Sequence, residues 1–142
     1  VALESDLPAP GPTIMANAAQ IIQALTNLIT NAWEAVGGSG GAIHLRVKTV
    51  PAMTIPVAHR FPSDWQPQDI NYACIEVADA GCGVEGKDIE KLFDPFFSSK
   101  FTGRGMGLAV VLGIARTHGG VVTVESKPGM GSTFRIFFPE YA

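Results

Sequence analysis

The order of patterned segments predicts an α/β (α+β) two-layer sandwich, a sheet with helices segregated to one face. Three observations carry this. An apolar helical pattern runs from 17 to 36. Alternating strands follow at 42–50 and 71–78. A second helical run leads straight into two strands joined by a tight turn. Runs of strands with helices between them bury one face of a sheet against a helical layer.

The elements follow in order. Residues 1–16 are Pro-rich and extended, with Leu3–Leu7 a candidate edge strand. Asn17 reads as a helix N-cap, with Gln20 at the capping-box position, and Gly37-Gly38 ends that helix after Val36. Ile21, Leu25, Leu28, Ala32 and Ala35 form its apolar face, while Asn27, Asn31 and Glu34 recur one turn apart on another. Ile43, Leu45 and Val47 alternate with His44, Arg46 and Lys48 in the first strand. Four prolines between 51 and 69 predict a long excursion loop. The strand 71–78 ends at Asp79, and 86–92 forms a short helix. Phe93–Gly107 reads as a mobile segment, and a helix from about Met106 to His118 stops at Gly119-Gly120. Val121–Ser126 and Ser132–Pro139 form a hairpin around Pro128-Gly129-Met130-Gly131.

The composition narrows the function. The chain has 142 residues, 46% hydrophobic and 16% charged, with net charge −3, so it suits one domain with a real core. No basic cluster argues for nucleic-acid binding. No apolar stretch is long enough to span a membrane, and no signal peptide is present, so direct membrane contact is not expected and a cytoplasmic setting is. Two cysteines and three scattered histidines give neither a disulfide framework nor metal-ligand spacing. The start at Val1, without an initiator Met, reads as a piece of a longer protein.

Three segments carry chemistry. Gly103-Arg104-Gly105-Met106-Gly107-Leu108 runs into a helix and offers backbone N–H groups at its N-terminus, a phosphate-binding arrangement. Asp79-Ala80-Gly81-Cys82-Gly83 places a carboxylate at a strand end before two glycines. The Asn27, Asn31, Glu34 triplet rides on a helix otherwise built to bury, and Asn is a mediocre helix former. Together they predict a nucleotide site.

These residues resemble a known family. Asn27–Ala35 is similar to the N box of the ATP-binding catalytic domain of sensor histidine kinases, in the Bergerat-fold superfamily that also holds type II topoisomerases, Hsp90 chaperones and MutL repair proteins. Asp79–Gly83 resembles their first glycine box, Leu92–Lys100 the F box, Gly103–Leu108 the second glycine box, and Gly129–Phe134 the last one. The boxes stand in the family's order and cover nearly the whole chain. The wording Phe-Phe-Ser-Ser-Lys-Phe-Thr-Gly-Arg-Gly is most similar to the nitrogen-regulatory and PAS-linked hybrid subgroup.

The resemblance implies a mixed, mostly antiparallel sheet of about five strands under about three helices, with a mobile ATP lid. It implies ATP and Mg²⁺ as cofactors. Asp79 would accept a hydrogen bond from the adenine amino group, and Gly81 and Gly83 would let the backbone approach the purine. Thr133 would support the same amino group. Asn31 would coordinate Mg²⁺ through its amide oxygen, with Asn27 facing the same phosphates. Lys100 and Arg104 would pair with β/γ-phosphate oxygens, and Gly103, Gly105, Met106, Gly107 and Leu108 would line the lid and its exit. Phe97 belongs to the aromatic anchor of the lid. Glu34 stands where many histidine kinases carry a basic residue, and it either touches metal-bound water or borders the polar face. None of His44, His59 and His118 is followed by Glu or Asp, as family phosphoacceptors usually are.

The implied partners are a preceding dimerisation and histidine phosphotransfer domain, which would make the full protein a homodimer, and a response-regulator receiver domain. The implied activity is transfer of the γ-phosphoryl group of ATP to a histidine for two-component signal transduction. Where the hydrolysing relatives carry a catalytic Glu, this chain has Asn27, and an amide is no general base. A hydrolysing ATPase, an anti-sigma-type serine kinase and a non-catalytic nucleotide-binding module stand as the alternatives.

Overall fold

The computed structural model describes residues 2–37, 41–94 and 107–141. In chain order the elements are β1 (Ala2–Asp6), α1 (Ala18–Val36), β2 (Ala42–Pro51), a 3₁₀ turn at Ala52–Thr54, β3 (Arg60–Phe61), β4 (Asn71–Asp79), α2 (Gly86–Ile89), α3 (Gly107–Thr117), β5 (Val121–Ser126) and β6 (Ser132–Pro139). The six strands form one sheet in the order β1-β2-β4-β6-β5-β3. β1 runs parallel to β2, and every other pair is antiparallel. This is the expected mixed α+β sandwich, with one strand more than the family pattern implied.

α1 begins where its cap residue predicts. The Asn17 side chain accepts the Gln20 N–H at 3.1 Å, satisfying one of the donors that a helix start leaves open. The Asn17 N–H donates to His118 Nε2 at 3.2 Å, and His118 Nδ1 donates to the Ile114 carbonyl at 2.8 Å. The ring also meets Phe138 edge-on at 5.7 Å. A ring that accepts on one nitrogen and donates from the other is a neutral imidazole. His118 therefore clasps the end of α3 to the start of α1.

Leu28, Ala32, Ile43, Val77, Val111, Phe134 and Ile136 are all buried and belong to the large core between the sheet and α1/α3. The excursion at 51–69 is not structureless. β3 pairs with β5, matching Arg60 to Thr123 and Phe61 to Val122. The Arg60 guanidinium donates to the carbonyls of Pro56 (2.7 Å) and Ile55 (3.0 Å) and lies 5.1 Å from the Trp65 ring centre. Trp65 Nε1 donates to the Gly119 carbonyl at 3.2 Å. The excursion lays Ile55 and Trp65 on the face of the sheet away from the helices, where they pack with Tyr72, Cys74, Val121 and Phe137. This second, smaller core explains why β4 is buried along both faces. Burial there pushes the Cys74 thiol up to about 11, so it is an inert packing group. Among the described residues, no helix is long and apolar enough to cross a membrane.

Candidate functional site

Asp79 is the last residue of β4 and pairs with Ser132 of β6. Side chains alternate along a strand, so Asp79 shares the helix-side face with Val77, and Ser132 shares it with Phe134. The Asp79 residue is 8% exposed. Its Oδ1 accepts the Gly81 N–H at 2.8 Å. Its Oδ2 is buried and has no hydrogen-bond partner among the described residues. Burial raises its carboxyl above the ordinary value, and the backbone N–H groups of Gly81 and Ser132 partly offset that. A buried acceptor left open is costly, and it is recovered by a ligand that brings a donor.

The loop after Asp79 is held tightly by the protein itself. A Cβ on Gly81 would collide with the Ala35 carbonyl, and one on Gly83, at φ +71°, would collide with the Lys127 carbonyl. Cys82 N–H reaches the Ala35 carbonyl at 3.4 Å, and Gly129 N–H donates to the Cys82 carbonyl at 2.7 Å. Val84 N–H donates to Ser126 Oγ at 2.8 Å. The loop is thus wedged between the end of α1 and the β5–β6 turn. Packing within the chain already requires both glycines, apart from any approach to a purine.

On α1, Asn31 is 6% exposed, and its amide nitrogen has no partner among the described residues. Asn27 differs: its amide donates to the Gly107 carbonyl at 3.3 Å, tying α1 to the first residue of α3. Glu34 is half-buried. Gly107 opens α3, and Leu108 points into the core, 5% exposed. Asp79 and Gly81 therefore meet α1 at Ala35, one helical turn beyond Asn31. Phe97, Lys100, Gly103, Arg104, Gly105 and Met106 lie outside the described residues.

Thr133 borders the same cleft as Asp79, but the register sets the two side chains on different faces of the sheet. It pairs with Ala78 and Glu125, so its side chain belongs to the face opposite Asp79. The hydroxyl on the Asp79 face is Ser132, 3% exposed, with its Oγ 2.7 Å from Ser126 Oγ. Ser126 Oγ also meets the Gly131 carbonyl at 3.1 Å. The parity of Phe134, Ile136 and Phe138 held this signal in the sequence, but Phe137 between them hides the alternation. Among the described residues, no group of three or more His, Cys, Asp or Glu side chains is placed to hold a metal ion. A divalent ion here would depend on the amide of Asn31 and on the ligand's own oxygens.

The β4 end with its buried carboxylate, the glycine loop and α1 with its buried amide thus form one corner of the sandwich. Residues 16–142 match the model of the histidine kinase-, DNA gyrase B-, and HSP90-like ATPase family, and the chain belongs to that family. It is 38% identical over 128 residues to the sensor kinase CckA of Brucella abortus (strain 2308), covering 89% of this chain and 13% of that protein. It is 36% identical over 129 residues to the sensory histidine kinase/phosphatase NtrB of Rhizobium leguminosarum bv. phaseoli, covering 90% of this chain and 32% of that one. The chain therefore spans less than a third of the length of these relatives. Full-length ShkA, solved in complex with AMPPNP, superposes with TM-score 0.74 at 25% identity over 99% of this chain and 26% of that one. The mycobacterial sensor histidine kinase MprB shares the fold, with TM-score 0.72 at 22% identity over 98% of this chain and 81% of that one.

Proposed function

We propose that this chain is the ATP-binding catalytic domain of a two-component sensor histidine kinase, acting in the cytoplasm, where ATP is available. One observation carries the reading: the buried Oδ2 of Asp79 beside the glycine loop, without a partner among the described residues. An adenine amino group would supply the missing donor. Guanine presents a carbonyl oxygen at that position and would leave two acceptors facing each other, which gives strong discrimination. Ser132, on the same face, supports the carboxylate by holding its strand end through Ser126.

The Asn31 side chain carries an amide oxygen, a donor that suits a hard cation keeping most of its ligands as phosphate and water oxygens. Mg²⁺ held there would neutralise phosphate charge. Asn27 binds protein at Gly107 and offers no base for water, which favours transfer over hydrolysis. By family resemblance, Lys100 and Arg104 would stabilise charge on the transferring group, and the glycine run from Gly103 to Gly107 would present N–H groups to phosphate. The acceptor would be a histidine nitrogen on a separate helical dimerisation domain, and the phosphoryl group would pass on to a receiver-domain aspartate. Catalysis from this chain would then be positioning plus electrostatics.

Calorimetric titration with ATP and GTP, with and without Mg²⁺, tests this. ATP-selective binding without appreciable turnover is the expected result. Asn31→Ala should remove the Mg²⁺ dependence and leave adenosine binding in place. Steady hydrolysis by the isolated chain would move the assignment to the ATPase alternative.

A further inference from the structure

A cleft of about 450 Å³ opens beside Asp79. Its wall runs from Asp79 and Ser132 past Ile89 and Val124 to Pro56, Ala58 and His59 of the excursion, with Lys127 and Met130 across from them. The excursion thus builds one side of a space whose other side is the strand end carrying the open carboxylate.

The lining fits an apolar group. Ile89, Val124, Pro56, Ala58 and Met130 contribute carbon surface. Glu125, Lys127 and Thr133 also border it, and several of the polar side chains are already engaged, Glu125 with Arg135. Ser126 and Ser132 bond each other at 2.7 Å, Ser126 also takes the Val84 N–H at 2.8 Å, and His59 Nδ1 lies 3.4 Å from Glu90 Oε1. A ligand group entering here would find few unsatisfied polar partners and would gain by leaving water.

We propose that this cleft is an extension of the adenine subsite, and that the domain accepts adenine nucleotides bearing a benzyl-sized apolar group on the exocyclic amine. The inference rests on the nucleotide reading of Asp79. A monosubstituted amine keeps one N–H, which Asp79 Oδ2 accepts, and its substituent is directed into the cleft. The occupant is an N6-substituted adenine nucleotide, because Asp79 stands in the same wall as the apolar residues.

The test is calorimetric titration of the chain with ATP and with N6-benzyl-ATP, repeated on Ala58→Trp. Ala58 is exposed on the excursion, so the larger side chain can be carried while it narrows the cleft. The expected result is N6-benzyl-ATP binding within about threefold of ATP, followed in Ala58→Trp by a loss of about tenfold or more for the benzyl analogue and less than about twofold for ATP. ATP binding with the benzyl analogue weaker by more than about tenfold in the unaltered chain would overturn the cleft and leave the nucleotide reading intact. Equal affinities for the benzyl analogue in both proteins would overturn it too, since the group would then lie elsewhere. No binding of either nucleotide would remove the nucleotide reading and the cleft with it.

Discussion

Two buried carboxylates stand three residues apart on β4, on opposite faces of the sheet, and are treated in opposite ways. Glu76, on the outer face, is 7% exposed and fully engaged. Arg135 Nε donates to it at 2.7 Å, and Arg46 and Lys48 approach within 3.8 and 3.9 Å. Arg135 also pairs with Glu125. Burial works against the charge on Arg135, but its hydrogen bonds to Glu76 and Glu125 outweigh it. Asp79, on the helix side, has one oxygen bound and one without a partner among the described residues. Buried charges normally persist only when paired. Glu76 follows that rule and is structural. Asp79 departs from it where the glycine loop meets the end of α1, and the proposed nucleotide site rests on that departure.

The largest effect that sharpens this contrast is Asp79→Asn. It should weaken ATP binding by about 100-fold or more, on the order of 3 kcal/mol, because the amide presents a donor toward the adenine amine or loses the charge-assisted bond. Thermal stability without nucleotide should not fall, since an unsatisfied buried carboxylate has been removed. Calorimetry and a melting curve on the same sample check both halves, and a large drop in melting temperature would make Asp79 structural like Glu76.

Glu76→Leu should behave in the reverse way. Arg135 would lose its more buried partner, costing about 2 kcal/mol of unfolding free energy by urea titration. The Glu125 pair and residual exposure keep the cost below that of a fully buried pair. ATP affinity should stay within about twofold, and a larger loss would link the two faces.

pH gives a finer test. The Asp79 carboxyl lies above its ordinary value of 3.8, chiefly through burial. A group whose folded value is raised favours the fold in its protonated form. Its contribution is therefore full below the ordinary value and is lost as pH rises through the raised one. Without nucleotide, the unaltered chain should lose more stability than Asp79→Asn across that interval, read from urea midpoints at stepped pH. Parallel curves would mean that Asp79 is not desolvated in solution.

The smallest effect concerns the clasp between α3 and α1. His118→Phe keeps the ring contact with Phe138 and removes the acceptor for the Asn17 N–H and the donor to Ile114. A loss of about 1 kcal/mol in urea titration is expected, with nucleotide affinity unchanged. A shift in affinity would show that the start of α1 is transmitted to Asn27 and Asn31.

Local pattern carried much of the architecture. The cap at Asn17, the end of α1 after Val36, and both strands of the final hairpin follow from side-chain periodicity and turn chemistry, which act between near neighbours. Asp79 was legible because a carboxylate between a strand and two glycines is unusual, and Asn31 because an amide on an apolar helix is. The excursion was harder to read. Four prolines mask a two-residue edge strand too short to show a period, and Ile55 and Trp65 look like stray apolar residues until β4 and β5 pass beneath them.

The sequence by itself determined the helices, the hairpin, the order of the glycine segments and the residue types available for a nucleotide, since each depends on contacts a few positions apart. Only the tertiary structure decided that Ser132 rather than Thr133 shares the face of Asp79, that Glu76 is neutralised from three directions, and that Asn27 is spent on Gly107 while the buried Nδ2 of Asn31 has no partner among the described residues. Each of these depends on strand register and helix docking. A one-residue slip would move every side chain of β6 to the other face, and with Phe137 masking the local alternation the pairing with β4 and β5 sets that choice.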